Sequence, residues 1–159
     1  MIPEQIEIVG SPWRVLPEGI HMATLAETRN KFAFNSLRRR LFGGFLEAVQ
    51  NFSNARCALV FLNGSYVTDD PNPSDYDACW NPIGVDRNRL DPILWSPEFR
   101  SQQKTRYGGE FFPSTSIVSG TNQTFLDFFQ FERLTGERKG ILQIDLETDP
   151  MLTWTSHDF

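Results

Sequence analysis

Two predicted strands and the loop between them lie within residues 57–80, which have the sequence CALVFLNGSYVTDDPNPSDYDACW. The first six residues are all apolar, which is typical of a strand covered on both faces. Residues 66–74 are rich in Asp, Pro, Asn and Ser, so they are expected to form a loop. Residues 75–80 alternate between polar and apolar side chains and predict a second strand.

The second predicted strand carries two acidic residues, Asp75 and Asp77. Alternate side chains of a strand point to the same face, so the two carboxylates are expected to project together. Paired carboxylates are ligands that Mg²⁺ prefers, often together with substrate phosphates. Gly64 would let a ligand approach the backbone closely, and the Ser65 hydroxyl would contact a phosphate. This pattern predicts a metal–phosphate site.

The remaining sequence predicts helices around a few strands. A capping-box pattern at Thr24 predicts a helix over about 24–33, and an apolar stripe from Leu37 to Phe52 predicts a second helix that starts after Asn35 or Ser36. Further helices are expected near 87–94, over 98–106 and over 124–133, and short strands over 6–9, 110–113 and 140–146. The expected fold class is α/β (α+β): a small mixed sheet flanked by helices. We expect a single domain over 1–159, with an extended arm at 1–20 and a tail at 148–159.

Composition excludes several classes of protein. The chain has 159 residues, 40% of them hydrophobic, which suffices for one core without staples. It has no apolar run long enough to span a membrane and no secretory signal pattern at its start, so we expect no membrane partner and a cytoplasmic setting. Two His and two Cys argue against a zinc site, and a net charge of −5 argues against broad nucleic-acid binding.

Gly64-Ser65 followed by Ser74-Asp75-Tyr76-Asp77 resembles the signature of the nucleotidyltransferase superfamily of the DNA polymerase beta type, in particular the minimal nucleotidyltransferases. The resemblance implies a transfer of a nucleoside monophosphate from an NTP with two Mg²⁺ ions. In that pattern Asp75 and Asp77 would bind both ions and Ser65 would contact the β or γ phosphate.

The same superfamily uses a third carboxylate on a later strand. Glu110 is the first candidate because it follows a predicted helix and opens a short strand; Asp145 is the second and Asp127 the third. The chain departs from the superfamily pattern in two respects. No acidic residue lies on a clear third strand before residue 110, and the Arg that usually follows Gly-Ser is replaced by residues 66–69, YVTD.

The chain also resembles a family of small uncharacterised bacterial proteins along most of its length. The residues that carry this second resemblance are 16–21 (LPEGIH), 62–80 (LNGSYVTDDPNPSDYDACW), 109–113 (GEFFP), 124–126 (TFL) and 144–146 (IDL). This resemblance implies no established activity.

Three functional hypotheses remain open from the sequence. The first is a Mg²⁺-dependent nucleotidyltransferase acting on a hydroxyl of a protein, a tRNA end or a small molecule, with a possible cognate protein partner. The second is a non-catalytic binding module of the same fold in a toxin–antitoxin or phage-defence pair, and the third is a metal-dependent nuclease. Two basic clusters, at 38–40 and at Arg100, Lys104 and Arg106, are either solvated or contact a triphosphate or an RNA acceptor.

Overall fold

A computed structural model describes residues 1–152 of the chain. The five strands are β1 (Gly19–Met22), β2 (Leu59–Asn63), β3 (Tyr76–Trp80), β4 (Gly109–Pro113) and β5 (Gly140–Asp145). The α-helices are α1 (Leu25–Phe32), α2 (Ser36–Asn54), α3 (Pro92–Trp95), α4 (Arg100–Tyr107) and α5 (Phe125–Phe128). Single 3₁₀ turns span Ser65–Val67, Arg87–Arg89 and Pro97–Phe99.

The strands form one mixed sheet in the order β1-β5-β2-β3-β4. The β2–β3 and β2–β5 pairs are antiparallel, whereas β1–β5 and β3–β4 are parallel. The mixed sheet and its helices confirm the predicted α+β class. Within residues 1–152, no helix combines the length and the apolar character needed to cross a bilayer.

The two faces of the sheet pack against different partners. One face holds the main core, where α2 contributes Phe45, Val49 and Phe52 against Val60 and Trp80 of the sheet. The other face holds a smaller cluster, whose buried members are Phe61, Cys79 and Ile141 and which is partly covered by Leu59, Phe125, Leu126 and Phe129. The second face is therefore less fully covered, and the polar residues described below lie on it.

Helix α2 begins where the sequence predicts, because the Asn35 side chain accepts a hydrogen bond from the Arg38 amide. The predicted capping box at Thr24 is present at the start of α1. Gly44 lies in the middle of α2, where a Cβ atom would stand 2.0 Å from the Tyr107 carbonyl oxygen. Glycine at this position lets α2 pack directly on the end of α4.

Three sequence predictions need correction. The helix expected over 124–133 ends at Phe128, because the chain then turns into a hairpin-like segment in which Phe131 pairs with Arg138. The strand expected over 6–9 is a single bridge between Ile6 and Val15. The predicted extended arm, 1–20, overlaps β1, which begins at Gly19 and pairs with β5. The part of the predicted tail beyond residue 152 lies outside the described residues.

Candidate functional site

A row of polar side chains crosses three neighbouring strands at one end of the sheet. Asn63, the last residue of β2, is the register partner of Asp77 on β3, and Asp77 is the partner of Glu110 on β4. Directly opposed residues on neighbouring strands point to the same face and lie within about 5 Å of each other. The fold therefore brings together three polar residues that are far apart in the sequence.

Asp75 joins this row from the loop that enters β3, since the strand itself begins at Tyr76. Its carboxylate forms an ion pair with Lys104, whose Nζ lies 3.1 Å from Oδ2 of Asp75. The same Nζ lies 4.0 Å from Oε1 of Glu110. The hydrogen bond to Asp75 and the charge of Asp75 raise the pKa of Lys104. Lys104 thus connects two of the predicted site acids, which rules out a purely solvated role for this residue of the second basic cluster.

Asp77 is the acid of this row whose carboxyl has a raised pKa. Burial, and after it the charges of Asp75 and Glu110, raise the pKa of its carboxyl to about 6, against the opposing charges of Lys139 and Arg133. The shift therefore reflects negative charge held in a poorly solvated place with incomplete compensation. An additional cation close to such a carboxylate would stabilise its charged form.

Lys139 is a buried cation at the end of the polar row. Its side chain lies in the segment just before β5, and Nζ donates to Oδ1 of Asn63 over 3.0 Å. Burial lowers the pKa of Lys139 to about 8, although the charges of Asp77 and Glu132 act in the opposite direction. Neither Asn63 nor Lys139 is among the site residues predicted from the sequence. The available signals were an Asn at the end of an otherwise apolar strand and a Lys immediately before the Gly140 strand.

The turn at Gly64-Ser65 lies against Asp77. Gly64 has a φ of +84°, which favours glycine, and a Cβ atom there would stand 2.8 Å from Oδ2 of Asp77. Ser65 opens a 3₁₀ turn that ends at Val67. The predicted glycine requirement therefore has two causes, a left-handed backbone and close contact with the site carboxylate.

Arg38 holds this turn in place from the opposite side. Its guanidinium is fully buried and donates to the carbonyl oxygens of Tyr66 (2.7 and 2.8 Å) and Thr68 (2.7 Å). The same group stacks between the rings of Phe34 and Tyr66. Neither role expected from the sequence is correct for Arg38: it is not solvated, and its guanidinium is occupied by backbone carbonyls. Arg39 and Arg40 are exposed.

The three candidates for the third carboxylate lie in different places. Glu110 is the direct neighbour of Asp77. Asp145 pairs with Leu59, at the opposite end of β2 from Asn63, and lines a separate cavity of about 230 Å³ with Met22 and Gln143. Asp127 is exposed on α5. Glu110 is the candidate that the sheet register places beside Asp77.

The residue types at this site suit a hard cation, because Asp75, Asp77 and Glu110 offer only oxygen ligands. Their side chains are not gathered around one point. Within residues 1–152, no set of three or more His, Cys, Asp or Glu side chains is arranged to hold a metal ion. The ammonium of Lys104 lies between two of the acids instead.

Comparisons with known proteins give a family but no activity. No curated protein and no solved structure matches the chain. Residues 11–145 match a family of unknown function, DUF6932, and this match covers the whole polar row and all five strands. The chain therefore belongs to the DUF6932 family.

Proposed function

We propose that this protein is a Mg²⁺-dependent nucleotidyltransferase, working in the cytoplasm, that moves a nucleoside monophosphate from an NTP to a hydroxyl group. The acceptor would be a protein, a tRNA end or a small molecule. The observation that carries the proposal is the register of the sheet, in which Glu110 is the direct neighbour of Asp77 while the Gly64 turn contacts the same aspartate. The resemblance of residues 64–77 to the nucleotidyltransferase signature agrees with this arrangement.

In this proposal the acids and the turn have separate tasks. Asp75 and Asp77 would hold magnesium, which neutralises the triphosphate and lowers the barrier to phosphoryl transfer. The Gly64-Ser65 turn would hold the terminal phosphates, with the Ser65 hydroxyl as a donor. Glu110 would orient the acceptor hydroxyl and accept its proton, because its carboxylate is the neighbour of Asp77.

A non-catalytic binding module is the second candidate function. The observation that favours it is the ion pair of Lys104 with Asp75, which occupies a carboxylate that the enzyme needs for a divalent ion. In this alternative the chain would bind a nucleotide or a cognate protein, as in a toxin–antitoxin or phage-defence pair. The two candidates differ in whether Mg²⁺ and an NTP produce pyrophosphate.

The experiment that tests the proposal measures pyrophosphate release and label transfer from each of the four NTPs with Mg²⁺, in the presence of total tRNA or cell-extract protein as acceptors. We expect transfer by the wild type and a loss of at least about 100-fold in Asp77→Asn and Glu110→Gln. The matched control is Asp145→Asn, which removes an acid of β5 that pairs with Leu59, at the other end of β2 from Asn63, and should leave the rate unchanged.

The other outcomes select the alternatives. NTP binding without pyrophosphate release in the wild type would support the binding module. Cleavage of the added RNA without any NTP requirement would support a nuclease. Equal rates in the wild type and in Asp77→Asn would contradict any catalytic role for this row.

A further inference from the structure

We infer that Asn63 is a ligand-contacting residue of this site and that its side-chain amide donates a hydrogen bond to a phosphate oxygen of the ligand. Lys139 is the positioning residue that orients this amide. The inference deepens the proposed function and rests on it in one respect, namely that the ligand carries phosphate groups. It gives a task to the buried contact between Asn63 and Lys139, which the proposed reaction does not use.

The orientation of the Asn63 amide follows from its contact with Lys139. Nζ of Lys139 lies 3.0 Å from Oδ1 of Asn63. An ammonium group donates hydrogen bonds and cannot accept one, so the oxygen of the amide must face Lys139. The Nδ2 group of Asn63 therefore faces away from Lys139. The amide is thus held in one of its two possible orientations.

The Nδ2 group of Asn63 is a donor without an acceptor in residues 1–152, where the contact with Lys139 is the one side-chain hydrogen bond of this residue. Asn63 is only 3% exposed. The fully buried side-chain nitrogen and oxygen atoms without a partner in the same residues are Nε of Arg38 and Nε1 of Trp80. Because Nδ2 of Asn63 is not one of them, the small exposed part of this side chain includes its free donor. A ligand can therefore reach a donor that the protein itself leaves unpaired.

The charge next to Asn63 favours an anionic oxygen as the acceptor. Lys139 is buried and forms no ion pair within residues 1–152. The carboxylates of Asp77 and Glu132 act on it without such a pair, and Arg133 adds a further positive charge. Burial of an ammonium costs free energy that carboxylates at this distance offset only in part. An anionic oxygen at Asn63 would accept a hydrogen bond and would also lie close to this cation.

The place of Asn63 in the sheet indicates which part of the ligand it contacts. Asn63 ends β2 and directly precedes the Gly64-Ser65 turn, for which the proposed task is to hold the terminal phosphates. Its register partner Asp77 separates it from Glu110, the residue proposed to orient the acceptor hydroxyl. The Asn63 contact therefore belongs to the triphosphate and not to the acceptor.

The test measures the affinity of the full chain for inorganic tripolyphosphate, the part shared by all NTPs, by isothermal titration calorimetry in the presence of Mg²⁺. Asn63→Leu removes the donor at similar size. Asn63→Asp keeps the shape and the contact with Lys139 but replaces the donor with an acceptor. Gln143→Leu removes an amide from the same face of the neighbouring strand β5 and is the matched control. Circular dichroism shows whether each variant is folded.

Two further measurements separate a ligand contact from a purely structural role. In heteronuclear NMR spectra of the wild type, tripolyphosphate should shift the side-chain amide signals of Asn63 and leave those of Gln143 in place. Lys139→Gln introduces a group that can also accept, so the Asn63 amide is no longer held in one orientation. Lys139→Arg keeps a group that only donates. We expect weaker binding in Lys139→Gln and recovery of most of the affinity in Lys139→Arg.

We expect both Asn63 variants to bind tripolyphosphate at least about 10-fold more weakly than the wild type, and Gln143→Leu to bind it equally well. Weaker binding in Asn63→Asp with wild-type affinity in Asn63→Leu would reflect charge repulsion alone and would overturn the inference. Unshifted Asn63 amide signals would also overturn it, and this readout decides the matter if Asn63→Leu does not fold. Equal losses in Lys139→Gln and Lys139→Arg would overturn the positioning role of Lys139.

The pyrophosphate assay keeps the inference and the proposed function distinguishable. Wild-type affinity in both Asn63 variants, together with pyrophosphate release by the wild type, would overturn the inference and leave the proposed function standing. Weaker binding in both Asn63 variants without pyrophosphate release by the wild type would support the inference and contradict the enzyme. A wild type that releases pyrophosphate but does not bind tripolyphosphate would overturn the inference alone.

Discussion

Asp77 is the residue at which stability and the proposed function oppose each other. Its carboxyl is half-buried, and burial together with two neighbouring acids raises its pKa to about 6. An unfolded chain has an Asp pKa of about 4. The folded state therefore binds the proton more tightly than the unfolded state. Tighter proton binding in the folded state adds to the free energy of unfolding at low pH. This contribution is lost as the pH rises from about 4 to about 6.

Replacing Asp77 with Asn should stabilise the fold at neutral pH. The Asn variant cannot ionise, so we expect its free energy of unfolding at pH 7.5 to exceed that of the wild type by about 1–2 kcal/mol. The difference should disappear near pH 4. Urea denaturation at both pH values measures it, with exposed Asp127→Asn as a control that changes stability by less than about 0.5 kcal/mol. An Asp77→Asn variant less stable than the wild type at pH 7.5 would contradict the description of this carboxyl.

Gly64 is expected to be intolerant of any side chain, for two separable reasons. Gly64 and Gly84 both have a φ near +80° (+84° and +80°), but only at Gly64 would a Cβ meet a neighbour, Oδ2 of Asp77 at 2.8 Å. Gly84→Ala should therefore lower the free energy of unfolding by about 1 kcal/mol through backbone strain alone. Gly64→Ala should lower it by at least about 1 kcal/mol more. Thermal denaturation of the two variants gives the comparison. Equal losses of stability in the two variants would show that the contact between position 64 and Asp77 does not contribute to the destabilisation.

At this scale the sequence predicts part of the site. Spacing within one short segment is enough to associate Asp75 and Asp77 with the Gly64-Ser65 turn, because all four lie within two consecutive strands and their loop. Lys139 is not predictable in this way. It reaches Asn63, 76 residues away in the sequence, only because β5 pairs with β2, and no local pattern encodes that pairing.

The contact between α2 and the 65–68 turn is the clearest feature at the scale of elements. The apolar periodicity of α2 predicts which face is buried, and Phe45, Val49 and Phe52 confirm it. Arg38 is buried on the same helix, which hydrophobic periodicity does not predict. Its guanidinium satisfies carbonyl groups of the turn that would otherwise be buried without partners.

Removing Arg38 should therefore damage the fold far more than removing its neighbour. Arg38→Met leaves the Tyr66 and Thr68 carbonyls unpaired in a buried place, and we expect a loss of about 3 kcal/mol in the free energy of unfolding. Arg39→Met, on the exposed side, should change it by less than about 0.5 kcal/mol. Urea denaturation at pH 7 measures both. Similar losses in the two variants would contradict a structural role for Arg38.

The errors among the predicted elements also have physical causes. The aromatic run after Thr124 favours a longer helix, but Lys139 and Gln130 form a backbone hydrogen bond that turns the chain back after one helical turn. Strand β1 is four residues long and begins with glycine, so its own sequence has little strand character. It forms because β5, far along the chain, offers a parallel edge.

At the scale of the whole molecule, the sheet order determines which residues meet. Placing β5 and β3 on either side of β2 brings Lys139 to one side of Asn63 and Asp77 to the other, and placing β4 outside β3 adds Glu110. Sequence patterns predict α2, β2, β3, β4 and β5. The order of the strands is not predictable from these patterns, because it depends on contacts between segments that are distant in the chain.

The most direct measurement of the central claim is a crystal structure of the wild-type protein with Mn²⁺ and a non-hydrolysable NTP. We predict an anomalous difference peak within about 2.6 Å of an Asp77 carboxylate oxygen, with the triphosphate lying on the Gly64-Ser65 turn. A manganese peak that touches none of Asp75, Asp77 and Glu110, or a nucleotide bound away from this end of the sheet, would contradict the claim.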